Sequence, residues 1–556
     1  MLAARGAPGA AEALRAARAG GDDDVRQAAA LALGEVALRD GDAAEAAAQF
    51  DAARRLRPGS PPARAAKARL VELRARQPAL APRGAALDAE LRLLLRERDD
   101  PAAQLAADQL LATSPSPRAL RARAEAEYGA GDVDAAVATL SLLVQRYPRA
   151  AEAPDAQLRG ATMCWNKDRD APAAAAFRTY LERWPHGPGA PEAQYALARI
   201  AQGEGRNDEA VAGYRRLIAA APASRQAPEA RWRIGWIAYQ DGRWRDAAAA
   251  FSAAQGGGVA DAPDAAYWRA RSLERAGERD EALRGYRALL DAAPGSYYAY
   301  WAEQRLSGTT APRQVVVSPP PPVALGAPPA GADAYHWRKA GALQAAGALR
   351  DAHREMAAVE RFGGDVPAVA AALPTAYQAV GGYHDAIRLA SARGTATADV
   401  LYPLAFWPQV ARAADAERID PLIPLALMRQ ESLFDPAARS SADARGLMQL
   451  LPSTAERVAR GRGLPPPADH LEEPAVNIAL GTAHLADLLR SYDGDPLKAF
   501  AAYNGGEEAV ARWQQRFGAL PGDELVENIT YRETRDYVKK VMGNYRRYQQ
   551  LYGRQP

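Results

Sequence analysis

A carboxylate set into an apolar helix is the first feature of this 556-residue sequence that could do chemistry. The run LIPLALMRQESLF follows Ile419-Asp420-Pro421, and Glu431 falls four residues after Leu427 and three after Met428. It therefore projects from the same stripe as core-type residues. A carboxyl group taken out of water keeps its proton to higher pH and can donate it near neutrality. A partnered structural acid and a solvated acid at a frayed helix end fit the same position.

Three further segments place polar side chains where apolar ones would be expected. Gln449 interrupts Leu447-Met448-x-Leu450-Leu451 with an amide; it must either bond backbone groups or face a cleft. Tyr503 and Asn504 end a helical run just before Gly505-Gly506, a left-handed stop for which Asn is also an ordinary capping residue. Glu533 lies three residues after Thr530, which by pattern is a capping box, as is Ser453 with Glu456. Behind Glu533 the residues Val538, Val541, Tyr545, Tyr548 and Tyr552 repeat every three or four positions, a stripe that reads as core packing.

The elements that must hold these residues are helical. Asp420 followed by Pro421 predicts a helix start, with Asp as N-cap and Pro in the first helical position. Upstream, the first 300 residues are rich in Ala, and prolines recur at Pro148, Pro185, Pro222 and Pro294, at intervals of 37, 37 and 72. Turn glycines keep the same period, Gly205 to Gly242 being 37 residues and Gly242 to Gly277 being 35. Such a period marks a solenoid of helical hairpins. In one unit Ala210, Tyr214, Leu217 and Ile218 share a face, and Pro222 then stops the helix. Residues 308–334 break the pattern, and Pro319 to Pro322 predict an extended, semi-rigid linker. Amphipathic helices return over 335–400, and the unusual residues gather in 401–556. No convincing alternating strand pattern occurs, so the expected fold is all-α.

Composition narrows the function. Lys plus Arg is 70 and Asp plus Glu 67, a net charge of +3, which argues against a nucleic-acid binder. Cys164 is the one cysteine and the six histidines are scattered, so neither a disulfide framework nor a metal site is expected, and no cofactor. No apolar run is long enough for a transmembrane helix, and the N-terminal stretch lacks the apolar region of a secretory signal.

Four pieces in order, Glu431-Ser432, Gly446-Leu447-Met448-Gln449, Ala502-Tyr503-Asn504-Gly505-Gly506 and the run from Glu533 to Val538, resemble the catalytic domain of the lytic transglycosylases. The helix over 477–489, with Asn477-Ile478, Gly481 and Leu485, fits the same pattern. The hairpin units resemble tetratricopeptide repeats. The order of helical superhelix, linking region and catalytic domain is similar to the large soluble lytic transglycosylases. The resemblance implies a TPR-like α-superhelix over 1–307, a Pro-rich linker over 308–334, a helical linking domain over 335–400 and a lysozyme-like, goose-type catalytic domain over 401–556. Gly505 stands where the family usually has Ala, Thr530 where it often has Pro, and Leu451 where the large enzymes carry Met.

What the resemblance implies is cleavage of the β-1,4 bond between N-acetylmuramic acid and N-acetylglucosamine in peptidoglycan, forming a 1,6-anhydro ring. Glu431 matches the single catalytic acid, acting first as acid and then as base, with the substrate's acetamido group assisting. Ser440, Gln449, Tyr503 and Glu533 match substrate-contacting positions, with Asn504 and Tyr537 as further candidates. Tyr503 is the phenol expected beside the carboxylate. The implied partner is the peptidoglycan glycan strand, with cell-wall proteins on the superhelix, and the implied compartment is the periplasm. Two rivals remain: a goose-type lysozyme hydrolase using water, and a non-catalytic glycan-binding solenoid scaffold.

Overall fold

The computed structural model describes residues 9–554 except 21–22, 257, 259–260, 309–315, 318–322, 395–396, 441 and 468–469. The chain divides into two compact units, Met1–Ile237 and Ala238–Pro556.

Why the repeats form helical hairpins is visible in one recurring pair. Ala136, Ala173, Ala210, Ala247 and Ala282 are all fully buried, and so are Leu140, Phe177, Tyr214, Phe251 and Tyr286 four residues on. The small residue lets a neighbouring helix approach, and the large one fills the groove one turn later. At Gly213 an added Cβ would lie 3.0 Å from Ala198 Cβ, which shows how close that approach is. Helices end at Arg146, Arg183, Ala220 and Ala292, each two residues before one of the periodic prolines. The core is broken into local clusters, around Phe50 and Leu70, Leu91 and Leu110, Leu140 and Met163, Phe177 and Ile200, and Tyr214 and Ile237. Each hairpin is thus stabilised by its neighbours, as in other solenoids.

The second unit holds the last hairpins, a small helical cluster and the C-terminal helices. The described linker residues just after the prolines are non-helical and held by side chains of the next helix. Gln344 accepts from Leu325 N (3.1 Å) and donates to Val323 O (2.8 Å), while Trp337 Nε1 donates to Gly326 O (2.8 Å). This stretch therefore packs on the helices over 334–401, whose core includes Met356, Leu373 and Tyr377. Pro319 to Pro322 lie outside the described residues. Among the described residues the fold is α-helical apart from one two-stranded ribbon, in which β1 (Val316–Val317) pairs antiparallel with β2 (Gly553–Arg554). No described helix is long and apolar enough to cross a membrane.

The C-terminal helices are α1 (Trp407–Glu417), α2 (Leu422–Ser432), α3 (Pro452–Gly461), α4 (Pro474–Ser491), α5 (Pro496–Gly505), α6 (Glu507–Phe517), α7 (Gly522–Glu527) and α8 (Arg532–Tyr552). Every residue from Leu422 to Met428 is buried, as its apolar character requires. The helix starts one residue later than the sequence indicates: Pro421 is the N-cap, and Asp420 Oδ1 accepts from Leu422 N at 2.8 Å. Val538, Val541, Tyr545 and Tyr548 of α8 are buried. Their helix grips α2 through Asn544 Nδ2 to Ala426 O (3.2 Å), and the residue before its N-cap through Tyr545 OH to Asp420 Oδ2 (2.7 Å).

Neither capping box forms. The N-caps of α3 and α8 are Leu451 and Tyr531, without side-chain hydrogen bonds. Thr530 instead accepts from Trp513 Nε1 at 2.9 Å.

The short helix α7 is unusual in burying three acids, and each has a partner from the last hairpins. Tyr267 OH (2.6 Å) and Arg305 Nη2 (3.1 Å) donate to Asp523. Tyr239 OH donates to Glu524 at 2.9 Å. Glu527 accepts from Trp268 Nε1 (3.1 Å), Tyr298 OH (2.7 Å) and Lys539 Nζ of α8 (2.7 Å). Buried carboxylates persist only when paired in this way. The network fixes the segment from which α8 departs.

Candidate active site

Glu431 lies in the last turn of α2, and the hydroxyl of Tyr537 on α8 donates to its Oε1 at 2.6 Å. Burial pushes the carboxyl up to about 7. Tyr537 pulls it the other way by stabilising the charged form, and the nearby Glu533 charge adds to the rise. Glu431 is therefore a carboxyl able to hold a proton near neutrality, the state a general acid needs.

The backbone leaves α2 through two left-handed residues, Leu433 (φ 48°) and Phe434 (φ 63°). Gln449 is a third at φ 45°. Non-glycine residues in this region cost about 1–3 kcal/mol each and tend to gather at functional sites. Phe434 is buried and packs on Tyr383, with ring centroids 6.4 Å apart. Ser432 Oγ donates to Leu447 O at 2.8 Å, tying the end of α2 to the turn over 445–450.

That turn closes on itself, Arg445 and Leu450 exchanging backbone bonds of 2.9 and 3.1 Å. Gln449 lies within it and spends both amide protons on Ala438 O (3.0 Å) and Gly446 O (2.9 Å). Its side chain thus takes the backbone-bonding alternative, and Oε1 is the group left over for a ligand. Gly446, at φ 75°, is required there: a Cβ would lie 2.3 Å from Leu471 O and 2.4 Å from Asn477 Nδ2.

The remaining candidates are placed as follows. Tyr503 OH donates to Met448 O at 2.8 Å rather than to Glu431. The phenol bonded to the carboxyl is Tyr537. Tyr503 still lies in the same electrostatic neighbourhood: its pKa is raised well above the usual value by burial and then by the Glu431 charge. Its ring also packs on His484, with centroids 5.2 Å apart. Glu533 is exposed in the first turn of α8, one turn before Tyr537. Asn504 is exposed and accepts from Thr534 Oγ1 at 2.7 Å. Ser440 is exposed, and its hydroxyl accepts from Ala442 N (3.2 Å) and Ala444 N (3.0 Å) of its own loop. The structure brings Glu431, Tyr537, Tyr503 and Glu533 into one electrostatic group and hangs Gln449 on the adjoining turn. Ser440 and Asn504 are bonded within their own surroundings.

Sequence reasoning named two residues here only as members of matching motifs and gave neither a role. Ser432 is a helix-end serine whose bond partner is 15 residues away. Asn477 is completely buried in α4; an amide among Val476, Ile478 and Leu480 was the signal for a bonding role.

Residues 409–526 match the transglycosylase SLT domain. Residues 2–61, 118–150, 167–228, 195–260 and 233–297 match tetratricopeptide repeats. A Haemophilus influenzae relative is 48% identical over 120 residues, covering 21% of this chain and 20% of its own. The soluble lytic murein transglycosylase of Escherichia coli K12 is 31% identical over 158 residues, 28% of this chain and 24% of its own. The matched stretch thus spans between a fifth and a quarter of these relatives' length. Among solved structures, the 70 kDa soluble lytic transglycosylase of Escherichia coli aligns with TM-score 0.59 and 19% identity over 98% of this chain and 96% of its own. An inactive mutant of the lytic transglycosylase Slt from Pseudomonas aeruginosa aligns with TM-score 0.55 and 24% identity over 99% and 85%. The fold and site define a tetratricopeptide-type helical superhelix followed by a lysozyme-like domain. That C-terminal domain is a transglycosylase SLT domain, and the chain has the build of the soluble lytic murein transglycosylases.

Proposed function

We propose that this protein cleaves the glycan strands of peptidoglycan as a lytic transglycosylase. Glu431, protonated, donates to the oxygen bridging N-acetylmuramic acid and N-acetylglucosamine, and the bond from C1 to that oxygen breaks. The acetamido oxygen of the muramic residue stabilises the positive charge at C1. The carboxylate then takes the proton of the C6 hydroxyl as that oxygen bonds to C1. The products are a 1,6-anhydromuramic end and a free N-acetylglucosamine hydroxyl, and Glu431 ends as it began. Acid–base assistance of this kind supplies about 10²–10⁴-fold in rate.

The observation that carries the reading is the carboxyl at the end of α2, pushed up to about 7 and bonded by a single phenol. Gln449 Oε1, Tyr503, Glu533, Asn504, Tyr537 and Ser440 are the groups proposed to line the sugar sites. The substrate lies outside the inner membrane, so the periplasm is the proposed compartment. The superhelix, 1–307 by sequence, is the proposed surface for cell-wall partners, with 308–334 and 335–400 joining it to the catalytic domain, 401–556.

The test is digestion of purified sacculi by the wild type and by Glu431→Gln, with masses of the released muropeptides. Anhydro ends from the wild type and none from the variant are expected. Products heavier by one water would make the enzyme a lysozyme-type hydrolase, and lysis by neither would leave a glycan-binding scaffold.

A further inference from the structure

The 445–450 turn is the meeting point of the candidate site. It receives Ser432 at Leu447 O and Tyr503 at Met448 O, each at 2.8 Å, and it contains Gln449. A turn with those duties needs an anchor of its own. Its anchor is on α4, where Asn477 and Gly481 sit one helical turn apart on one face.

Asn477 is fully buried, and its amide is used in three directions. Its Oδ1 accepts from Met448 N at 2.8 Å. Its Nδ2 donates to Arg445 O at 2.9 Å and to Leu471 O at 2.8 Å. One side chain therefore pins both arms of the turn and joins them to the chain before α4. Gly481 supplies the matching space: a Cβ there would lie 2.4 Å from Met448 Sδ and 2.8 Å from Met448 Cβ. Gly446 completes the fit from the other side, since any side chain would strike the Asn477 amide. A buried amide satisfied in this way fixes one geometry, because each displaced arm would leave a donor or acceptor unpaired.

We propose that Asn477 and Gly481 are positioning residues, a socket on α4 that holds the 445–450 turn and through it sets Ser432, Tyr503 and Gln449 around Glu431. The proposal rests on the reading of Glu431 as the acid. Asn477 touches no reacting atom in it; its effect reaches the carboxyl through Met448 and Leu447.

Two variants test it from independent sides. Asn477→Asp keeps the acceptor for Met448 N and sets carboxylate oxygen against the carbonyls of Arg445 and Leu471. Gly481→Ala adds a methyl group under Met448 while improving intrinsic helix propensity. Both are compared with wild type by thermal unfolding, and by kcat, KM and pH profile on soluble peptidoglycan strands. A misplaced site costs roughly 100-fold in kcat, and KM rises with it, because the displaced Tyr503 and Gln449 are also proposed sugar-site groups. The alkaline limb of the profile also moves to lower pH, as water reaching Glu431 favours its charged form. The groups facing that carboxyl are Tyr537 and Glu533 from α8 and Tyr503 from α5.

A purely structural role predicts otherwise: activity scales with the folded fraction, and the profile stays in place. That result, full kcat in folded variants, or failure of both variants to fold would overturn the proposal. Failure of the underlying reading shows separately, as a wild type without lytic activity or an active Glu431→Gln.

Discussion

The hydroxyl of Tyr537 lies 2.6 Å from Glu431 Oε1, although the two residues are 106 positions apart in the chain. This bond joins the end of α2 to the start of α8, and it opposes the rise in pKa that burial imposes on Glu431. Tyr537 thus limits how firmly the carboxyl holds its proton.

Removing that hydroxyl has a predictable sign. In Tyr537→Phe the charged form loses its donor, so the Glu431 pKa rises above about 7. Activity that needs protonated Glu431 then persists to higher pH, and the alkaline limb moves up, as steady-state rates from pH 5 to 9 would show.

Glu431 also links stability to pH. Its folded pKa of about 7 exceeds the ordinary value of 4.5, so the native state binds the proton more tightly than the unfolded chain. The resulting stability is fully present below pH 4.5 and is lost as pH rises through about 7. Glu431→Gln abolishes this loss. Relative to wild type it gains up to about 3 kcal/mol between acid and mildly alkaline pH, measurable by urea unfolding at both ends of the range.

Glu527 carries the opposite expectation. Burial raises its pKa, but the charge and hydrogen bond of Lys539, with the Tyr298 hydroxyl, bring it below the usual value. Its contribution to stability is present above pH 4.5 and lost as pH falls through the lowered pKa. Glu527→Ala leaves Lys539 without this partner and destabilises by about 3–5 kcal/mol. Thermal unfolding of the full chain near neutral pH reads it.

Gly446→Ala meets a rigid obstacle, because Leu471 O would lie 2.3 Å from the new Cβ. Backbone and turn must separate, at a cost of about 2–3 kcal/mol. Loss of both stability and lysis is expected, read by unfolding and by turbidity of a sacculus suspension.

Much of this was legible before any coordinates. The Ala and aromatic positions of the repeat, the prolines closing each helix and the apolar α2 all follow from local periodicity. So does the stripe of Val538, Val541, Tyr545 and Tyr548, which packs as the spacing requires. The stripe hid one thing: Tyr537 lies on the same face as those core residues, and nothing local shows that its hydroxyl meets Glu431. Capping patterns misled for a related reason. Thr530 found a better partner in Trp513, and α8 began beyond it. The acids of α7 carry no local mark of burial, because their partners Tyr267, Tyr298 and Arg305 lie more than 200 residues away. Local patterns reveal elements, whereas long-range polar pairs appear only once the elements are packed.

The central claim is that the Glu431 carboxyl still carries its proton near neutral pH. Infrared difference spectroscopy between wild type and Glu431→Gln, followed through a pH titration, reads that proton directly from the carboxylic acid carbonyl band. A band assigned to Glu431 that disappears with a midpoint near 7 is the predicted result. A midpoint at the ordinary 4.5 would contradict the account.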